Sequence, residues 1–327
     1  MNSKTQLLFF ALLVIGLTGV VLVLSLSVGS TTIPLEDVFI SVFSESAARS
    51  QTIIWEIRFP RTLSAFVVGA LLAMAGALMQ VLLRNPLADP YVLGVSGGAA
   101  VAALLSMMLG AVGVWVDTSA FFGALLSMVL VFSLAHDKGA WSSNRLLLTG
   151  VVIAAGWGAV ITLLLSVSNE TQLRGMLHWL IGDVAEADLP ITAGLVLLLA
   201  LVLVLPLARD LNVLSRGEDL ATTLGLRVQR VRIGTFLLAS LTTAVAVSVA
   251  GTVGFVGLVI PHLVRLLFGS DNRIVIPFSI LLGGTLMMLA DILARTLIAP
   301  QQLPVGVFTA VLGVPVFLIL MRRSYGR

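Results

Sequence analysis

Ten apolar runs follow one another along the chain with little polar sequence between them. They lie near residues 7–28, 62–83, 93–110, 114–135, 145–168, 190–207, 233–252, 253–268, 274–298 and 306–321. A helix that crosses a bilayer needs about 20 mostly apolar residues, and most of these runs supply them. The weakest is 253–268, which is short, contains Pro261 and is separated from the run before it only by Gly251, Thr252, Val253 and Gly254. Charge is correspondingly scarce: Asp, Glu, Lys and Arg make up 11% of 327 residues, against about 25% in an ordinary soluble domain. So few charges cannot cover a water-facing surface, and 58% hydrophobic residues exclude intrinsic disorder. The expected fold is all-α, a polytopic membrane protein with about ten transmembrane helices and residues 1–327 forming one transmembrane domain. The absence of cysteine removes disulfides, thiolate metal ligands and a cysteine nucleophile.

The distribution of charge fixes an orientation. Lys and Arg collect in cytoplasmic loops. If the N-terminus is inside and all ten runs span, fourteen of the nineteen basic residues fall inside, and the acids divide as six inside and ten outside. Arg232 and Arg265 flank the doubtful pair of runs and are both inside only if the chain reverses near Gly251–Gly254. Ten spans with both termini cytoplasmic is therefore the expected topology. The small basic excess, a net charge of +3, belongs to those loops and does not point to nucleic acid. The first run follows Lys4 and precedes Ser25, Ser27 and Gly29 like a signal peptide, but its apolar stretch exceeds the 7–15 residues of such a segment. It is read as a retained helix.

Five basic residues fall outside: Arg49, Arg58, Arg61, Arg174 and Arg295. Arg58 and Arg61 precede the second span and break the positive-inside pattern, either to meet an acidic partner or to snorkel at the interface. Asp291 and Arg295 are four apart on one helix face and can pair. The outer segment 29–61 contains Pro34 followed by Glu36 and Asp37, which fits a short surface helix. The inner segment 208–232 is the most polar of the chain. Within it Glu218–Leu224 reads as a short helix stopped by Gly225, with Leu220, Leu224 and Leu226 facing a partner or the bilayer surface.

Gly94, Ser96 and Gly98 fit the G-x-S-x-G pattern of a hydrolase elbow, but they open an apolar helix instead of following a strand. Close helix packing is the expected role of these small residues. His136, His178 and His262 lie on distant segments and have no metal-ligand spacing. No Walker-A phosphate cradle occurs, so no cofactor or metal is expected and any ATP must be hydrolysed by another subunit. Gln80 is expected to serve packing. Gly76 and Pro86 are spaced like Gly251 and Pro261, a faint echo of an inverted repeat. The helix centres carry almost no acid, which argues against ion coupling.

Four runs together carry a family resemblance: IRFPRTL at 57–63, RNPLADPYVLGVSGG at 84–98, GFVGLVIPHLVR at 254–265 and LPVGV at 303–307. In order and spacing they resemble the permease subunits of bacterial importers for iron–siderophore, haem and vitamin B12, the FecCD/BtuC-type ABC importers. The resemblance implies ten transmembrane helices per subunit, a second permease copy as homodimer partner, two cytoplasmic ATPase subunits and a periplasmic substrate-binding protein, all at the inner membrane. It implies that the ATPases grip the loop around Ser215–Leu226, with Gly217, Glu218, Ala221, Leu224 and Gly225 matching best, and that Arg58, Arg61 and Arg295 meet the binding protein. It implies a pathway lined by helices 5 and 10. The chain departs from the B12 permease at Tyr91, Gly97 and His178–Asp183, which leaves the cargo open. Two rival classes remain: an ion-coupled secondary carrier acting without an ATPase, and an intramembrane hydrolase using Ser96.

Overall fold

The computed structural model describes residues 3–43, 48–135, 143–185 and 189–325, and within them every long regular element is a helix. His136 and part of the outer loop 169–189, with Glu186 and Asp188, lie outside the described residues, as does the side chain of Arg49. In chain order the helices are α1 (Ser3–Ser27), α2 (Leu35–Phe43), α3 (Ala48–Thr52), α4 (Phe59–Leu82), α5 (Val95–Met108), α6 (Val114–Ala135) and α7 (Ser143–Val167). They continue as α8 (Glu170–Ile181), α9 (Ile191–Leu214), α10 (Glu218–Thr223), α11 (Val228–Ala250), α12 (Val256–Phe268), α13 (Asn272–Thr296) and α14 (Val305–Tyr325). Each of the ten apolar runs coincides with one of these helices. Eight helices among the described residues are long and apolar enough to cross a membrane, while α5 and α12 are shorter.

The expected surface helix after Pro34 is α2, with Glu36 and Asp37 in its first turn. The second span starts earlier than the hydropathy placed it. Residues 53–58 form a π-helical segment that runs straight into α4, and the Phe59 N–H bonds the Ile54 carbonyl. Pro60 is the cause: its ring cannot face the carbonyl of Glu56 in a regular α-turn, and a widened turn relieves the clash.

Helix α4 is the axis of the bundle, with nearly every residue buried. It achieves this through glycine. A Cβ at Gly69 would overlap the Gly283 carbonyl of α13, and one at Gly76 would overlap Gly257 of α12. In lipid, helices associate through close packing because the tails are as apolar as the side chains, so these contacts carry the assembly. Gly98 of α5 and Gly123 of α6 meet in the same way, which is the packing role expected of the G-x-S-x-G residues.

The two short helices begin inside the bundle. Gly257 at the start of α12 packs on Leu72 and Gly76, at and just past the middle of α4. Gly94, before α5, meets Ile153 and Ala154 at the middle of α7. At 1.5 Å per residue, α5 and α12 reach about 20 Å each, enough to run from there to one face. The reversal expected near Gly251–Gly254 is present. Gly251 closes α11 at φ +65° and Phe255 precedes α12 at φ +69°. The Gly–Pro echo does not mark equivalent positions, because Gly76 is mid-helix and Gly251 ends a helix, while Pro261 lies inside α12.

Candidate functional site: the outer arginine cluster, the interior breaks and the inner coupling loop

Three basic residues expected on the outer surface are instead turned inward. Arg58, Arg61 and Arg295 expose only 4%, 4% and 6% of their surface. Arg58 donates to the Leu26 and Ser27 carbonyls at 2.7 Å and to Thr31, capping the C-terminal end of α1, where unsatisfied carbonyls carry partial negative charge. Arg61 Nε lies 2.7 Å from Asp291 Oδ1, and its Nη1 donates to Gln302 Oε1 at 2.6 Å. Arg295 Nε lies 3.1 Å from Asp291 Oδ2, the i,i+4 pair read from the sequence, and its Nη2 donates to Ser25 Oγ at 2.8 Å. Ser25 in turn bonds Thr62 across α1 and α4 at 2.7 Å. The carboxylate of Asp291, fully buried, therefore joins α4 to α13, and Arg295 carries the joint to α1. A sequence shows three outer cations; only the fold shows that their acceptors lie inside.

The non-helical segments meet in the interior, where every backbone polar group needs a protein partner. Tyr91 Oη accepts from the Val253 N–H at 3.1 Å, the Asp183 N–H donates to the Ala250 carbonyl at 2.9 Å, and the Gly306 N–H donates to the Gly182 carbonyl at 3.1 Å. A Cβ at Gly251 would overlap the Trp179 carbonyl. The run His178–Asp183, where the chain departs from the B12 permease, is thus part of this junction, with His178 Nδ1 3.7 Å from Asp183 Oδ2. Among the described residues no group of three His, Asp or Glu side chains is placed to hold a metal ion.

Gln80 packs as expected but also bonds. Its Nε2 donates to the Leu258 carbonyl at 3.1 Å, and Arg265 reaches its Oε1 at 3.4 Å and the Ala77 carbonyl at 3.1 Å. Arg265 then donates to Asn272 Oδ1 at 3.2 Å, and Asn212 Oδ1 accepts from the Asn272 N–H at 2.8 Å and side-chain amide at 2.9 Å. Asn212 Nδ2 donates to Asp271 Oδ1 at 2.7 Å. Burial alone raises the Asp271 carboxyl, but hydrogen bonds from Asn212 and the Arg273 N–H, with the Arg273 charge, hold it below the ordinary value. Asn212→Leu is expected to cost about 1–3 kcal/mol by stranding the fully buried Asn272 amide. Because the Asp271 carboxyl is depressed in the folded state, its contribution is fully present above the unfolded value of about 3.9 and is lost as pH falls through the lower folded value. Thermal unfolding of both proteins at neutral pH and at pH 3 checks this: the gap should narrow in acid.

The inner loop has the form read from the sequence. Gly217, at φ +128°, precedes α10, and Gly225, at φ +79°, ends it. The Leu226 N–H bonds the Ala221 carbonyl at 2.9 Å and the Gly225 N–H bonds the Thr222 carbonyl at 2.9 Å, a Schellman stop that needs a left-handed residue. Ala221 is fully buried against the bundle, while Leu220 and Leu224 are 44% and 64% exposed. The Glu218 carboxylate accepts from both Arg84 and Arg232. The short helix read from the sequence over Glu218–Leu224, stopped by Gly225, is present as α10. Sequence reading missed the pairing of Glu218 with Arg84, 134 positions away, and with Arg232, 14 positions away.

Residues 17–323 match the FecCD transport family. This chain belongs to that family. It is 40% identical over 319 residues to the vitamin B12 import system permease protein BtuC of Vibrio cholerae, covering 96% of this chain and 93% of that one. It is 38% identical over 343 residues to the hemin transport system permease protein HmuU of Yersinia pestis, covering 99% and 98%. Its fold is similar to that of a metal-chelate type ABC transporter solved in an inward-facing conformation, with a TM-score of 0.84, 30% identity and coverage of 95% and 97%. The FecCD chain is therefore a multi-pass permease of the ABC importer type, and the fold class expected from the sequence holds.

Proposed function

We propose that this chain is the translocation subunit of a binding-protein-dependent importer in the bacterial inner membrane, with residues 1–327 as one transmembrane domain, both termini cytoplasmic and ATP hydrolysed by two separate subunits. The observation that carries the reading is α10: a short, doubly capped helix at the inner end of α9 and α11, anchored through Ala221 and offering Leu220 and Leu224 to solvent. An exposed apolar pair on the most polar loop of the chain fits a partner surface. The ATPase coupling loop is Gly217, Glu218, Ala221, Leu224 and Gly225: Gly217 and Gly225 set the helix ends, Ala221 and Glu218 hold the helix to the bundle, and Leu224 meets the ATPase.

The cargo class is an iron chelate, haem or cobalamin, by likeness to relatives named for haem and B12 transport. A second permease copy would complete the pathway. The arrangement of Asp291 favours ATP over an ion gradient, since this buried acid is held between two arginines. A binding-protein role for Arg58, Arg61 and Arg295 is kept in an indirect form. They fix the outer ends of α1, α4 and α13 and so shape the surface on which a carrier docks.

The test is reconstitution in vesicles with the cognate ATPase and binding protein. Uptake should require ATP and both partners, and Leu224→Glu should lower ATPase capture about five- to thirtyfold, as for an interface anchor worth about 1–2 kcal/mol. Uptake driven by an ion gradient without ATPase would establish the secondary-carrier reading instead. Replacing Arg58, Arg61 and Arg295 together should weaken docking by a factor that does not change with salt concentration. A docking loss that grows at low salt would show direct ion pairs with the carrier.

A further inference from the structure

One carboxylate ties α10 to two separate parts of the bundle. Glu218 accepts from Arg84, in the segment that leaves α4, and from Arg232, in the first turns of α11. Arg232 is almost fully buried, whereas Arg84 and Glu218 remain about one-third exposed at the side chain. Arg84 adopts φ +47°, a left-handed conformation uncommon for a residue with a Cβ. That backbone turn aims its side chain toward α10.

The segment behind Arg84 is stiff. The Asn85 N–H bonds the Gln80 carbonyl at 3.2 Å, the Asn85 side chain accepts from the Leu87 N–H at 2.9 Å, and Asp89 accepts from the Tyr91 N–H at 2.7 Å. Its far end is Tyr91, which holds the Val253 N–H, and Pro90, which packs on Gly257. A displacement of α10 therefore has two rigid routes inward. One runs through Arg84 to the break between α11 and α12, and the other runs through Arg232 along α11.

We infer that Glu218 is a positioning residue that latches the coupling loop to the helices through Arg84 and Arg232, so that motion imposed on α10 reaches the interior breaks and is not absorbed at the loop. The inference rests on the reading of α10 as the ATPase contact. The carboxylate works inward, while Leu220 and Leu224 work outward, so the latch and the ATPase grip are separable by substitution.

The experiment uses the full importer in vesicles with ATPase and binding protein. It compares wild type with Arg84→Gln/Arg232→Gln, with Arg84→Lys/Arg232→Lys, and with the charge-reversed trio Glu218→Arg/Arg84→Glu/Arg232→Glu. Three quantities are read: ATPase retained on the purified permease, ATP hydrolysed, and cargo moved per ATP. The glutamine pair should retain the ATPase and hydrolyse ATP while cargo moved per ATP falls about tenfold, within the usual range of coupling between sites. The lysine pair, which keeps the charges, and the reversed trio, which rebuilds the ion pairs, should recover most of that loss. A glutamine pair that transports normally overturns the latch. So does one that loses the ATPase, which would place these residues in the docking surface, and so does a reversed trio no better than the glutamine pair. Wild-type permease that captures no ATPase would instead refute the reading of α10, an outcome separate from all of these.

Discussion

Gly76→Leu is expected to prevent α4 and α12 from packing and to cost about 3 kcal/mol or more, the upper range for overpacking a filled interior. The reason is that the obstacle is main chain. A side chain at this position would have to occupy the Gly257 carbonyl and Cα, and neither can rotate away as a side-chain tip would. Separating the helices would also open the contact of Pro90 with Gly257 and strain the bond between Tyr91 and Val253. Gly16→Leu is the control, because a Cβ there meets nothing within 4 Å and α1 faces outward along most of its length. The measurement is the yield and thermal unfolding of each variant in detergent. Equal behaviour of the two would show that the α4–α12 contact is not limiting.

Asp291→Ala is expected to cost about 3–5 kcal/mol, the usual effect of removing one partner from a buried ion pair. Arg61 and Arg295 would be left side by side, with 5% and 6% of their side chains exposed and no anion between them. Arg61 Nη2 is already without a hydrogen-bond partner in the buried cluster. The informative comparison is the triple variant Arg61→Met/Asp291→Leu/Arg295→Met. Replacing a whole buried ionic group by apolar side chains is often close to neutral, so the triple should unfold at a higher temperature than the single. If the triple is as unstable as Asp291→Ala, the cluster contributes net stability through more than mutual neutralisation. Docking of the carrier by a triple variant that folds then asks whether the arginines serve the partner or only the scaffold.

The contrast between the two charge clusters explains where sequence reading succeeded. On the inner side, charge excess, the two glycines and the apolar pair Leu220 and Leu224 sit within one short stretch. Local rules for helix ends and breakers apply there directly, and the structure has the helix where those rules put it. On the outer side, Arg58, Arg61 and Arg295 were recognisable as exceptions to the topology rule, but an exception has two explanations, a partner outside or acceptors inside. The acceptors are Asp291, Gln302, Ser25, Thr31 and the last carbonyls of α1, and only Asp291 with Arg295 lay within local reach in the chain. The interior breaks were still less legible. Gly251–Gly254 was marked as a reversal by charge alone, but nothing local says that Tyr91, 162 positions earlier, satisfies its backbone.

The sequence by itself determined that this chain dissolves in lipid, where its ten apolar runs lie and which family it resembles, and its charge pattern supplies the expected sidedness of the loops. Those properties follow from one-dimensional quantities: the length of apolar runs against the thickness of a bilayer, and the side on which cations collect. The tertiary structure decided which glycines are contacts, that α5 and α12 start mid-bundle, that the outer arginines are buried, and that Glu218 joins α10 to α4 and α11. The physical reason is that lipid supplies no hydrogen bonds. Each polar group within the bundle must find a protein partner, and that partner is chosen by proximity in space, which the order of residues along the chain does not reveal.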